Sequence, residues 1–322
     1  MIEVQNLRKT YGDITAVDDI SFNVEKGEIL GLLGPNGAGK TTTMRILTGF
    51  LPATAGTARV AGLDVAKQSL QARRHIGYMP ESTPLYLSMT VRRYLHFMAA
   101  IKGVPARDRK RRVAEAMEHT GTTHVADRLI RHLSKGYRQR VGLAQAIVAD
   151  PEILILDEPT IGLDPTQIIE IRHLIHAMAQ RRTVILSSHI LPEVSEVCER
   201  VVIINRGKVI ASETTQNLAK QLQREQQIVV EVRGDRAGVE KVLRGHPQVR
   251  KVSLERGVQA DGSHRLLVES GAKGDLRADL ARAIVGAGHD LLHLSERTMS
   301  LEEIFVQLVG EEERQTKPTR AS

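Results

Sequence analysis

Nine consecutive residues, Gly34-Pro35-Asn36-Gly37-Ala38-Gly39-Lys40-Thr41-Thr42, constrain this chain more than any other stretch. They satisfy the pattern G-x-x-x-x-G-K-[ST]. The run before them, Glu28-Ile29-Leu30-Gly31-Leu32-Leu33, is short and apolar and reads as a buried strand. The run after them, Thr43-Met44-Arg45-Ile46-Leu47, reads as the first turns of a helix. Strand, glycine-rich turn and helix together form the context in which this pattern cradles phosphates. Glycines let backbone N–H groups turn inward around phosphate oxygens, and the helix N-terminus adds partial positive charge. In such a loop Lys40 reaches the β- and γ-phosphates and the Thr41 hydroxyl holds Mg²⁺. The expected ligands are therefore a nucleoside triphosphate and Mg²⁺.

The 322 residues suffice for one large domain and a smaller one, and 41% hydrophobic with 26% charged residues describes a globular chain. Aromatic residues make up 3% and Trp is absent, which argues against extended stacking on nucleic-acid bases. A single cysteine, Cys198, excludes an intrachain disulfide and fits a reducing compartment. No apolar run approaches a membrane span, and the N-terminus lacks a basic-then-apolar leader. The expectation is a cytoplasmic protein. A net charge of +7 suits an acidic partner but does not choose between an anionic leaflet and nucleic acid.

A second element narrows the nucleotide chemistry. Ile153-Leu154-Ile155-Leu156 is an apolar strand that ends in Asp157-Glu158. At the strand's C-terminal end, beside the loop, Asp157 would bind Mg²⁺ directly or through water. Glu158 is the natural base to polarise an attacking water.

Between the two lies Leu133-Ser134-Lys135-Gly136-Tyr137-Arg138-Gln139-Arg140. Here the chain resembles the ATP-binding cassette (ABC) family, whose signature is usually Leu-Ser-Gly-Gly-Gln. Leu133, Ser134 and Gly136 match it, while Lys135 and Tyr137 depart from it. Ser134 and the Gly136 amide open a helix running to about Ala149, and a hydroxyl at a helix start is an anion site. The resemblance implies that this end meets the γ-phosphate held by a second subunit. Further matches fall in family order. Gly162-Leu163-Asp164-Pro165 resembles the loop that crosses the dimer interface, with Asp164 in it. Val184-Ile185-Leu186-Ser187-Ser188-His189 reads as a strand ending in His189, which resembles the family's switch histidine. Tyr11 corresponds to the aromatic that stacks on adenine, and Val17 lies near the ribose. One position departs with consequence. The stretch Ile76-Gly77-Tyr78-Met79-Pro80-Glu81-Ser82 aligns with a loop that normally carries Gln as a metal and water ligand. Glu81 stands there, able to ligate Mg²⁺ through oxygen while adding a negative charge.

The family resemblance covers about 220 residues and implies an α/β cassette over residues 1–222. Its expected parts are an α/β core, an antiparallel nucleotide-facing portion formed by residues 2–24, and a helical subdomain over about 82–150. Within that subdomain Arg107-Asp108-Arg109-Lys110-Arg111-Arg112 is a basic run, most simply a solvated helix face. After residue 222 the pattern restarts. Strand-like residues 228–232, helix-like 237–243, strands at 249–254 and 265–269, a helix over 275–285 and a strand at 291–294 give the order β-α-β-β-α-β. That order suggests a ferredoxin-like α+β domain over 223–310. Ser300-Leu301-Glu302-Glu303-Ile304-Phe305-Val306-Gln307-Leu308 is amphipathic and opens with a capping box, resembling the last helix of ATPases paired with type-2 exporter permeases. Residues 311–322 are polar and read as disordered.

The resemblance implies an ATPase that closes as a head-to-tail homodimer on two ATP molecules and drives a separately encoded transmembrane permease from the inner face of the membrane. The rival reading is a soluble ABC ATPase acting on ribosomes or nucleic acid. Such translation factors carry two cassettes per chain, and the loop pattern occurs here once. DNA-repair members insert long coiled coils, and no sustained heptad repeat is present. No nucleic-acid partner is therefore expected.

Overall fold

The computed structural model describes residues 1–217, 226–256, 262–271 and 275–297. They divide into two compact units, the first over Met1–Thr215 and the second within Gln216–Gly310. The expected amphipathic segment at 300–308 and the polar tail from 311 lie outside the described residues.

The first unit opens with β1 (Ile2–Tyr11), β2 (Ile14–Val24), β3 (Ile29–Leu33), α1 (Lys40–Leu47), β4 (Ala55–Val60), β5 (Leu63–Asp64), α2 (Ser69–Arg74) and β6 (Ile76–Met79). It continues through α3 (Val91–Ile101), α4 (Ala106–His119), α5 (Lys135–Ile147), β7 (Ile153–Leu156), α6 (Pro165–Ala179), β8 (Thr183–Ser188), α7 (Leu191–Ser195), β9 (Arg200–Asn205) and β10 (Lys208–Thr214). Two sheets result. One is antiparallel, in the order β2-β1-β4-β5. The other runs β10-β9-β3-β8-β7-β6, parallel throughout except for the antiparallel edge strand β10.

Every residue of β3, β7 and β8 is buried, as expected of parallel strands covered on both faces. Strand β2 alternates instead, and its buried Val17, Ile20, Phe22 and Val24 share one core with Leu30, Leu32, Ile153, Ile155 and Ile185 of the parallel sheet and with Met44, Ile46 and Leu47 of α1. That core fixes α1, and with it the glycine-rich loop, against the sheet. Helices α3, α4 and α5 lie in sequence between β6 and β7. The basic run on α4 is largely neutralised there, because Arg111 pairs with Asp108 and Glu115, and Arg112 with Glu115 and Asp150. Among the described residues no helix is long and apolar enough to cross a membrane.

The second unit runs β11 (Gln226–Arg233), α8 (Arg236–Arg244), β12 (Val249–Arg256), β13 (Ser263–Ser270), α9 (Arg277–Gly286) and β14 (Asp290–Arg297). Its four strands form an antiparallel sheet in the order β12-β13-β11-β14. Ile228, Val230 and Val232 of β11 and Leu266 and Val268 of β13 pack with Val239 and Leu243 of α8 and Leu280 and Ile284 of α9. Two helices on one face of the sheet bury its period-2 apolar side chains.

Candidate functional site

The order β9-β3-β8-β7-β6 brings together loops that are far apart in sequence. All five strands are parallel, so the segments leaving their C-terminal ends emerge along one edge. These are the glycine-rich loop after β3, His189 after β8, Asp157-Glu158 after β7 and Glu81 beyond β6. Ligands of open α/β sheets bind at this edge.

The loop needs its glycines. Gly37 and Gly39 have φ of 80° and 107°, a region that side-chain-bearing residues rarely adopt. A Cβ on Gly39 would meet the carbonyl oxygen of Ala16, and one on Gly34 the carbonyl oxygen of Ile204. Gly39 is the N-cap of α1 and no side chain caps it. The N–H groups of the first helical turn, Lys40 to Thr42, are thus left to an external acceptor. Helix α1 begins at Lys40, earlier than the sequence suggested, so both Lys40 and Thr41 project from its first turn.

Lys40 is buried. Its Nζ donates to the carbonyls of Gly34 at 2.7 Å and Pro35 at 3.3 Å and lies 3.3 Å from Glu158 Oε1. The other oxygen, Glu158 Oε2, is 3.0 Å from His189 Nδ1. A basic and an imidazole group therefore hold the two oxygens of one buried carboxylate. Glu158 has φ 47°, an uncommon left-handed conformation for a non-glycine residue, costing on the order of 1–3 kcal/mol. Its N–H donates to Ser187 Oγ at 2.9 Å, which pins the strained residue.

Asp157 is fully buried. Its Oδ1 accepts from Thr41 Oγ1 at 3.1 Å and from Ser187 Oγ at 2.7 Å, and its Oδ2 is buried with no hydrogen-bond partner. Burial pushes the Asp157 carboxyl above its ordinary range. The bonds from Ser187 and Thr41 pull it back, the Glu158 charge adds to the rise and Lys40 opposes it. A carboxylate oxygen with no partner, beside a threonine hydroxyl, offers the hard oxygen donors that suit Mg²⁺. Among the described residues no group of three or more His, Cys, Asp or Glu forms a metal cluster. The donor set therefore fits an ion completed by phosphate oxygens and water rather than by an all-protein cage.

Ser187 is the functional residue that the motifs did not single out. Buried at the end of β8, it bonds both Asp157 and Glu158. Its signal was a hydroxyl directly after the apolar Val184-Ile185-Leu186 run, two residues before His189.

The remaining expected residues form a second group. Ser134 caps α5 by accepting from Tyr137 N at 3.4 Å, and Asp164 caps α6 by accepting from Gln167 N at 2.9 Å. Gly136 is buried against the Gln167 side chain, so the two caps are neighbours. The Lys135 ammonium passes over Gly162, whose φ is 65°. Tyr137 is held by His124 Nε2 at 2.9 Å. None of Ser134, Gly136 and Asp164 shares a hydrogen bond or ion pair with Lys40, Thr41, Asp157 or Glu158 among the described residues. Tyr11 ends β1, 45% exposed, with Lys9 Nζ 5.2 Å above its ring. Val17, expected near a ribose, is wholly buried in the core, because a register shift in the β1–β2 pairing between Ile20 and Val17 turns it inward. Glu81 is exposed and makes no polar contact with Thr41 or Asp157, because the chain leaves β6 through Pro80 toward solvent.

Comparison with known proteins follows the same motifs. A family model for "ABC transporter" matches residues 17–161. The linearmycin resistance ATP-binding protein LnrL of Bacillus subtilis is 34% identical over 318 residues, covering 96% of this chain and 98% of LnrL. The probable multidrug ABC transporter ATP-binding protein YbhF of Escherichia coli is 39% identical over 228 residues, or 70% of this chain. This chain spans only 39% of the length of YbhF. Among solved structures, the ATP-binding subunit of an ABC transporter superposes with a TM-score of 0.63 at 29% identity, over 69% of this chain and 93% of that one.

Proposed function

Because the chain belongs to the family of ABC transporter ATP-binding proteins, we propose that it binds and hydrolyses ATP to drive a separately encoded membrane permease. The observation that carries this reading is the convergence of Lys40, Thr41, Asp157, Glu158 and His189 at one sheet edge. The first-turn N–H groups of α1 and the Lys40 ammonium take the phosphates. Thr41 and the unpartnered Oδ2 of Asp157 would hold Mg²⁺, which when bound would offset phosphate charge. Glu158 accepts a proton from the attacking water, and His189 at 3.0 Å keeps its carboxylate in place. Tyr11, exposed at the end of the β1–β2 hairpin, provides a face for the adenine ring.

Ser134, Gly136 and Asp164 serve a second copy of the chain. Their separation from the Lys40 loop within one chain supports a head-to-tail dimer in which each copy's α5 start faces the other's ATP. Closure of that dimer on ATP and its opening after hydrolysis would move the permease. Resistance and multidrug roles in the names of LnrL and YbhF support export, with the protein peripheral on the inner face of the membrane. The second unit has the strand order of a ferredoxin-like fold and serves as an accessory domain over 223–310 that makes no ATP contact.

Glu158→Gln tests the reading. It keeps an oxygen for Lys40 but removes the base, so ATP hydrolysis should fall by roughly 10²–10⁴-fold while ATP binding and ATP-dependent dimers persist. Hydrolysis at the parental rate would exclude Glu158 as the base.

A further inference from the structure

Glu158 stands in a backbone turn. The Ile161 N–H donates to the Glu158 carbonyl at 3.2 Å, and the Leu163 N–H to the Thr160 carbonyl at 3.2 Å. The turn is gripped from two sides. On one, Gln139 of α5 donates its amide to the Pro159 carbonyl at 3.0 Å. On the other, the Thr160 hydroxyl donates to Glu193 Oε2 at 2.6 Å. Thr160 is 8% exposed, and Glu193 lies in the first turn of α7, the helix that begins two residues after His189. Thr160 and Glu193 therefore each sit within four residues of one of the two groups whose separation matters, Glu158 and His189.

We propose that Thr160 and Glu193 act as a latch that holds the Glu158 turn in register with His189, setting the carboxylate for attack by water. The proposal rests on the ATPase reading above and assigns these two side chains as positioning residues for it. The physical argument is geometric. Glu158 occupies a left-handed backbone conformation that its own side chain does not favour. The Ser187 hydroxyl fixes its N–H, and Gln139 fixes the next carbonyl. Neither ties the turn to the segment that carries His189 beyond β8. Apart from the direct Glu158–His189 contact, the Thr160–Glu193 bond does so. Because it lies outside the Lys40, Thr41 and Asp157 contacts, losing it leaves the phosphate loop as it was and frees the distance between Glu158 and His189. The loss should therefore be felt in turnover and not in nucleotide affinity.

The test compares steady-state ATPase kinetics and ATP binding for full-length Thr160→Val, Thr160→Ser, Glu193→Ala, Glu193→Gln and the Thr160→Val/Glu193→Ala double variant, with Glu158→Gln as reference. Displacement of a catalytic group by 1 Å costs about 10²-fold, so a loosened turn should cost about tenfold in kcat. The expected result is that loss for Thr160→Val and Glu193→Ala, with KM for ATP within about twofold of the parent. Thr160→Ser, which keeps the hydroxyl, and Glu193→Gln, which keeps an acceptor oxygen, should retain most of kcat. The double variant should be no worse than either single one, because one bond is lost in all three. Parental kcat in either Thr160→Val or Glu193→Ala overturns the latch, as does a raised KM at unchanged kcat. Multiplying losses in the double variant, or failure of both conservative variants to restore turnover, also overturn it. Glu158→Gln at the parental rate would instead sink the ATPase reading, so the two failures are distinguishable.

Discussion

Ser187→Ala should be costly out of proportion to the one oxygen it removes. Ser187 is fully buried, and its hydroxyl makes two bonds of opposite sense, donating to Asp157 Oδ1 at 2.7 Å and accepting from the Glu158 N–H at 2.9 Å. Losing a bond to a carboxylate costs about 1.5–3 kcal/mol, and orphaning a buried amide about 1–3 kcal/mol. Asp157 Oδ1 keeps its bond from Thr41, so the sum is partly cushioned, and about 3 kcal/mol is expected for the first unit. The loss should also depend on pH. Burial already raises the Asp157 carboxyl, and the Ser187 bond is the largest effect pulling it down. A raised folded pKa means that ionised Asp157 destabilises the fold at neutral pH, and that this penalty disappears as pH falls through its titration. Without Ser187 the folded pKa rises further and the neutral-pH penalty grows. The gap between parent and variant should therefore be widest near neutrality and narrow on acidification. Hydrogen exchange across a urea titration, read on peptides covering β7 and β8, measures the first unit alone. A loss under about 1 kcal/mol, or a gap that stays constant from neutral pH down through the carboxylate titration, would refute the assigned role of this hydroxyl.

Two further outcomes test other parts of the structure. Lys102 follows the end of α3 and donates to the carbonyls of Gln145 at 2.5 Å and Ala146 at 3.5 Å, and burial pulls its ammonium down to about 8. Between that value and its ordinary 10.5 the unfolded chain binds the extra proton, so stability should rise with pH from about 8 toward 10, by at most roughly 3 kcal/mol. Urea melts of the parent should show that rise and melts of Lys102→Met should not; equal slopes would contradict the burial argument. Glu81→Gln should leave the Mg²⁺ dependence of ATP hydrolysis unchanged, because Glu81 is exposed and Thr41 and Asp157 pair without it. A shifted Mg²⁺ titration would return Glu81 to the metal.

What the sequence made legible was short and contiguous. The loop at 34–42, the carboxylates at the end of an apolar strand and the histidine at the end of another each carry their chemistry within a few neighbouring residues. The second unit was also readable as β-α-β-β-α-β from its apolar strand-like runs, separated by helix-like segments and a polar turn. Its element lengths were not. Polar ends such as Gln227 and Arg297 pair across β11 and β14 although neither is apolar, so β14 extends from the expected 291–294 to Asp290–Arg297. Asp275, expected to open α9, instead accepts from the Arg277 N–H and lies just before the helix. Strand β4, Ala-Gly-Thr-Ala-Arg-Val, is largely exposed and weakly patterned, and its pairing with β1 and β5 makes it a strand.

The remainder depends on strand order, which no local pattern carries. Thr41 and Asp157 are 116 residues apart and meet because β8 lies between β3 and β7 in the sheet. The same order puts His189, which leaves β8, between the loop after β3 and the carboxylates after β7. Glu158 can then share its two oxygens between Lys40 on one side and His189 on the other. Another strand order would leave every motif in the sequence, so the motifs alone do not set these contacts. Ser187 and the Thr160–Glu193 pair belong to the same level of organisation. Each is an ordinary polar residue in sequence, and each acquires a role only because the β7 turn and the β8 exit are neighbours in the folded sheet. What they hold in place is a strained turn, with Glu158 at φ 47°.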